Sequence, residues 1–401
     1  MRGLGIQVCY IHANRNAGYS YEQRPYQTYA VLRDTDHDIY IFHDFMADGF
    51  FCLLAKEAGT AFQGAKLGIL THGSSQWVDE ANNRKTGTDD RVLLYEMEKT
   101  CCEFADFLVS PSCYQLDWMR EQGWQLPTNS RCIPNFTSQP GSFDPKLPRP
   151  HIASEDIREL VFFGRLEERK GIRAFCEALN MLPPEVLSGR TVTFLGKQDH
   201  FSERIIRAWL QPALQQAVIT INFYSDYNTL QARDYLRRAG CLAVMPSLLE
   251  VSGCVISECL EKAIPFLTSS TGGGKELIQP EDWEKTLFAP DKNALAEALT
   301  RVLNGAGAIT PRPFHTHESI LAGWQELFRG IAHAPAKLPQ TVLAPILGQY
   351  SRHVTAGPLQ VARRFLKTYA RTCFDKIISL LPSSALRQQC LRLAKYAVRR
   401  S

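Results

Sequence analysis

The chain has 401 residues, 45% hydrophobic and 21% charged, enough for two ordinary domains that each bury a core. Its net charge of +4 is uneven: from residue 351 onward eleven Lys or Arg stand against Asp375 alone, so this end carries +10 and the rest −6. An acidic body with a basic tail is not the pattern of a nucleic-acid enzyme, whose cations line the working cleft, and no nucleic-acid partner is expected. No apolar run approaches the roughly 18–20 residues a spanning helix needs, and no charged-then-apolar secretory pattern opens the chain. A cytoplasmic protein is therefore expected. The 12 cysteines form no C-x-x-C pair of the kind that marks zinc or redox sites. Cys9, Cys132, Cys241 and Cys254 lie in apolar runs and are expected to pack as small hydrophobes.

In chain order, short apolar runs alternate with amphipathic segments, the signature of parallel sheets covered by helices. The first series has strand-like GIQVCYI, DIYIFHDF, KLGILTHG, DFLVSPS and SRCIPNF, separated by helical GFFCLLAKEAG, DDRVLLYEMEKTCCEFA and CYQLDWMREQG. The clustered aspartates of RDTDHD (33–38) precede a strand and read as a plain polar turn. A Pro/Gly/Ser-rich stretch from Asn135 to about Glu155 then breaks the pattern. The second series runs RELVFFGRL, TVTFLGK, ITINFYS, CLAVMPS, IPFLTSS and TLFAP, closing on helical KNALAEALTRVLNG and ESILAGWQELFRGI. The expected fold class is α/β, with two Rossmann-like doubly wound domains and a basic helical tail. Residues 1–140 form the first domain, 141–157 the linker, 158–333 the second domain and 334–401 the tail. Such domains hold ligands at the carboxyl ends of their strands.

Two segments carry chemistry. VFFGRLEERKG ends a strand at Gly164 and delivers Arg165 and Lys170 just before a helix, where two cations can grip a diphosphate. In VMPSLLEVSGCVISECLEKAIPFL a buried strand ends near Pro246-Ser247, Glu250 follows in a loop, and Ser252, Gly253 and Cys254 open a helix carrying Glu258. A helix N-terminus with unpaired N–H groups seats phosphate, and Glu258 can chelate the hydroxyls of a ribose.

Gly164-Arg165 with Lys170-Gly171, then Pro246-Ser247, Glu250 and Glu258 at Glu-x7-Glu spacing, then TGGGKELI (271–278) together resemble the C-terminal half of the retaining glycosyltransferases of family 4. The resemblance implies a GT-B fold, a nucleoside-diphosphate sugar donor, retention at the anomeric carbon and no cofactor or required metal. By position, Arg165 and Lys170 would hold the diphosphate, Glu250 the transferred sugar and Glu258 the ribose. In the first half the resemblance is partial: His72 in KLGILTHGSSQW is similar to the family's cleft histidine that contacts the donor sugar. Family members begin with a strand, a Gly-rich loop and a helix, whereas this chain opens with GIQVCYIHANRN, which reads as a later strand. Gly18 in NRNAGYSY has no Gly-x-Gly context. The expectation is that the first strand–loop–helix lies outside this sequence or that the N-terminal domain is reduced.

The implied acceptor is a glycan or a lipid-linked sugar, as in surface polysaccharide synthesis. Two rival readings are a non-catalytic remnant or module of a larger polysaccharide-synthesis protein, and a sugar-nucleotide epimerase or dinucleotide-dependent dehydrogenase. The last calls for a Gly-x-Gly-x-x-Gly after a strand, and none is present. In the tail, Phe365, Tyr369, Cys373, Ile377 and Leu381 recur at helical spacing between basic residues. That makes it a candidate for an anionic membrane surface, on the inner face of the membrane, or for a helix packed back on the body.

Overall fold

The computed structural model describes residues 8–9, 23–84, 88–136, 148–218 and 220–333. The described residues fall into two compact units, one taking those up to Phe42 and Met46–Leu67, the other His43–Phe45 and those from Gly68 onward. The strand expected over GIQVCYI lies outside the described residues except for Val8 and Cys9, which are not in a strand. Gly18 and the basic tail also lie outside them, as do residues 141–147 of the expected linker.

The first unit holds a helix at Gln23–Leu32, most of strand β1 (Ile39–His43), a helix at Phe50–Glu57 and the start of β2 (Lys66–Leu70). Along β1, Tyr40 and Phe42 are buried while Ile41 is exposed, the alternation of a strand with one covered face. Every residue of Phe50–Glu57 is buried. The RDTDHD segment is a turn closed by Tyr40, whose hydroxyl donates to Thr35 O at 2.9 Å.

The second unit completes β2 and adds β3 (Phe107–Ser110) and β4 (Ser130–Cys132), parallel partners in the order β1-β2-β3-β4. All of β3 is buried, as a parallel strand covered on both faces should be. The expected SRCIPNF strand stops at Cys132 because Pro134, two residues on, has no N–H for a ladder. Helices at Ser75–Ala81 and Cys113–Glu121 start where Ser74 and Ser112 accept the backbone N–H of Trp77 and Gln115, each at 3.3 Å. Between them runs the helix Asp89–Phe104.

The six-stranded sheet comprises β5 (Glu159–Phe163), β6 (Thr191–Leu195), β7 (Thr220–Tyr224), β8 (Cys241–Met245), β9 (Phe266–Ser269) and β10 (Leu287–Phe288). All are parallel, in the order β10-β9-β8-β5-β6-β7. Counted from β5 this is the 3-2-1-4-5-6 order of a dinucleotide-type fold, with its switch point between β5 and β8. Helices Ile172–Met181 and Lys292–Arg301 pack on one face, around Phe162, Phe175 and Phe194. The helix Cys254–Glu261 covers the other face through Ile256, Cys259 and Leu260.

Of the four cysteines expected to pack as small hydrophobes, only Cys241 is buried; Cys132 is half-buried and Cys9 and Cys254 are exposed. Cys132 ends β4, the last strand of its sheet, and Cys254 is the first residue of a helix. Such end positions leave a side chain uncovered.

Candidate functional site

At the switch point, β5 ends at Phe163 and β8 at Met245, and the loops that follow bring the sequence-derived residues together. Backbone geometry sets the approach. Gly171 has φ +72°, and a Cβ there would lie 1.8 Å from Pro246 O, so only glycine lets these two loops touch. Gly273 packs as tightly: its Cβ would lie 2.0 Å from Val251 O and 2.4 Å from Ser112 Cβ.

Glu250 is buried and is the centre of the charge arrangement. Its Oε1 accepts from Lys170 Nζ and, at 2.8 Å, from Ser247 Oγ, while Oε2 lies 3.3 Å from Arg169 NH1. Burial alone would raise this carboxyl, but Lys170 and Arg169 outweigh it and hold the group below the usual range. With about four lone-pair directions on a carboxylate, these three partners leave room for one further hydroxyl.

Arg169 was not singled out by the sequence. It is buried, lies 2.8 Å from Glu167 Oε1 and stacks its guanidinium 5.6 Å above the Trp77 ring. The three-residue turn Glu168–Lys170 turns its side chain inward beside Glu250. Arg165, by contrast, is half exposed and meets Glu167 at 3.1 Å and Asp199 at 3.5 Å. Arg165 thus stays at the surface, while the turn keeps Arg169 and Lys170 on Glu250.

Ser252 is buried, and Gly253 (φ +70°) precedes the helix Cys254–Glu261, which starts without a side-chain cap. Its first N–H groups and positive dipole end face the same loops as Lys170. Four residues along, Glu258 is largely buried, with Oε2 3.6 Å from Arg233 Nε. Burial raises its carboxyl above the ordinary range despite that cation. Arg233, from the helix Thr229–Leu236, is a second residue that only the structure associates with the site.

His72 follows β2. Its own N–H and that of Gly73 donate to the Asp44 carboxylate at 2.9 and 3.3 Å, as does Phe45 N–H at 2.9 Å. Asp44 is fully buried, and burial outweighs these donors to push its carboxyl up to about 6. The His72 ring lies 4.7 Å from the His43 ring. It reaches solvent from a crowded recess, and that recess, then His43, brings it down to about 4, so it is neutral at physiological pH.

The last loop, TGGGKELI, forms the turn Gly272–Leu277. Gly273 N donates to Glu250 O at 3.0 Å. Glu276 reaches the start of helix Cys113–Glu121, accepting from Cys113 N at 2.7 Å and Tyr114 N at 2.8 Å. A carboxylate on a helix N-terminus is favoured by the dipole, and this one ties the glycine turn to the first sheet's helices.

With this geometry in hand, known proteins offer three comparisons. Residues 157–305 match the model of the family described as glycosyl transferases group 1. Among solved structures, sucrose-phosphate synthase from Thermosynechococcus elongatus is similar at 18% identity and TM-score 0.52, covering 86% of this chain and 81% of its own. The structure of TarM is similar at 15% identity and TM-score 0.52, covering 76% of this chain and 57% of its own. At such identities the likeness is one of fold, and it matches the two parallel sheets of the GT-B architecture. No curated protein matches the chain.

Proposed function

We propose that this chain, whose residues 157–305 form a group 1 glycosyltransferase domain, moves a sugar from a nucleoside-diphosphate donor to a glycan or lipid-linked acceptor with retention of configuration. The observation that carries the reading is the meeting of Lys170, Arg169 and Glu250 with an uncapped helix N-terminus at the β5–β8 switch point. Cations and helix N–H groups gathered at strand ends are the groups that a diphosphate requires.

In the proposed reaction the bond from the anomeric carbon to the diphosphate oxygen breaks, and the acceptor oxygen bonds to the same face of that carbon. Arg165, Lys170 and the N–H groups at Cys254 stabilise the charge developing on the leaving diphosphate. That diphosphate takes the acceptor's hydroxyl proton. Glu250 uses its remaining acceptor direction on a hydroxyl of the transferred sugar, Glu258 holds the ribose, and neutral His72 contacts the donor sugar. Ser252 and Gly253 shape the helix entry.

The setting follows from composition. The +10 carried from residue 351 onward would hold the protein on an anionic inner membrane face, where lipid-linked acceptors for polysaccharide synthesis lie. Among the described residues no helix is long and apolar enough to cross a membrane. A thermal-shift screen of nucleoside-diphosphate sugars, followed by NMR of the anomeric proton in the product, tests the reading. A specific donor should raise the melting temperature by linkage and give a retained anomer. Absence of any stabilising donor, or an inverted product, would refute it.

A further inference from the structure

Near the glycine turn, three side chains distant in sequence converge. Cys113 opens the helix Cys113–Glu121, Cys132 ends β4, and Glu276 comes from the turn Gly272–Leu277. One ligand atom from each lies within 4.8 Å of the other two. The Cys132 thiol points its proton at Glu276 Oε2, 4.0 Å away, and its sulfur lies within 4.8 Å of the Cys113 sulfur. The Glu276 carboxylate is itself held by the N–H groups of Cys113 and Tyr114 at 2.7 and 2.8 Å.

Around a tetrahedral zinc with Zn–S near 2.3 Å and Zn–O near 2.1 Å, sulfurs stand about 3.8 Å apart and sulfur and oxygen about 3.6 Å. The observed 4.0 Å between Cys132 Sγ and Glu276 Oε2 therefore needs a closure of only some tenths of an ångström. Two thiols and one carboxylate form a soft-to-borderline donor set that selects zinc over magnesium or calcium. Exposed Cys113 and half-buried Cys132 leave the cluster open to solvent on one side, which suits entry of an ion and a fourth, water ligand. The two N–H donors to Glu276 orient that ligand as outer partners do in metal sites.

We propose that Cys113, Cys132 and Glu276 form a binding site for zinc, separate from the donor site. Binding replaces the two thiol protons, which pass to solvent, with two Zn–S bonds, and adds a Zn–O bond to Glu276 and one to water. No oxidant is involved. The ion would pin the turn whose Gly273 hydrogen-bonds Glu250 O, and so stiffen one wall of the donor loops without entering the reaction.

Cobalt replaces zinc with a visible signature, so the reduced full chain, stripped of metal, is titrated with Co²⁺ and then Zn²⁺. One equivalent of cobalt should give thiolate-to-metal charge-transfer absorbance with tetrahedral visible bands, and zinc should bleach both and raise the melting temperature. The double variant C113S/C132S should lose the charge-transfer band, E276Q should weaken cobalt binding, and Cys9→Ser should change nothing. Circular dichroism confirms that each variant is folded, and exposed Cys113→Ser alone serves if the double variant is not. Absence of the band in reduced wild type, or its persistence in the folded cysteine variants, overturns the assignment. So does a chain that ignores cobalt but closes a Cys113–Cys132 disulfide under a mild oxidant.

Discussion

Replacing Lys170 with Met separates what this residue does for the fold from what it does for the ligand. The side chain is only 12% exposed and donates to the buried Glu250 carboxylate. Removing one partner of a buried pair costs roughly 3–5 kcal/mol when the other charge is left alone. Here Arg169 remains 3.3 Å from Glu250 and Ser247 2.8 Å, so the loss should fall below that range, at about 1–3 kcal/mol. The double variant Lys170→Met with Glu250→Gln removes the stranded charge and should regain most of that stability in a denaturant titration. It should not regain ligand. A charge-assisted hydrogen bond to a diphosphate is worth about 1.5–3 kcal/mol, or about ten- to a hundredfold in Kd. Calorimetry with a panel of nucleoside diphosphates should show that deficit in both variants. Wild-type affinity in the stable double variant would refute Lys170 as a phosphate contact and leave it a purely structural partner of Glu250.

Glu258→Ala should weaken nucleotide binding by about tenfold or more while leaving binding of inorganic diphosphate unchanged; equal loss for both ligands would contradict a ribose role. Gly171→Ala, which sets a methyl 1.8 Å from Pro246 O at φ +72°, should destabilise by more than about 4 kcal/mol, and a melting temperature near wild type would contradict the backbone contact. NMR of the His72 ring should give a midpoint near 4 with no step near 6.5. Because the unfolded chain takes up that proton first as pH falls, His72 makes stability drop on acidification from 6.5 to 4, whereas Asp44, raised to about 6, makes stability drop as pH rises from 4 to 6. Asp44→Asn removes the second slope, so stability should rise more steeply with pH across this interval than in wild type. A chain truncated before Tyr350 should stop co-sedimenting with anionic vesicles, and unchanged salt-sensitive binding would exclude the basic tail as the anchor.

The strands of the second series were legible because each is a short apolar run closed by Gly, Pro or a polar turn: β5, β6 and β8 lie within the expected segments. That Lys170 and Glu250 sit near one edge followed from the order of motifs, since the strand ends of a parallel sheet share one edge, but their ion pair did not. Other contacts left no local signal. Arg169 looks like its neighbours in GRLEERKG, and only a tight turn decides that it, and not Arg165, points inward. Asp44 reads as the end of a strand, although its value lies in accepting three backbone N–H groups, two of them from residues 28 and 29 positions away. The cysteine cluster left no local signal either: Cys113 and Cys132 are 19 positions apart, yet both lie where strands of one sheet end, and their carboxylate neighbour enters from the other sheet's loop.

The glycine contacts around Glu250 also bear on how donor preference could change. Where main chain rests on main chain, as at Gly171 against Pro246 and Gly273 against Val251, there is no layer of side chains to trim or enlarge. Loop grafts of altered length would separate surfaces that nothing else can bridge. On the proposed reading, variation in donor choice is therefore channelled to side chains at the edge of this frame, Arg165, half exposed between Glu167 and Asp199, and exposed Cys254 at the helix entry. A library restricted to those two positions should shift the preferred nucleotide sugar while keeping the melting temperature, a yield that randomising residues 246–253 would not give.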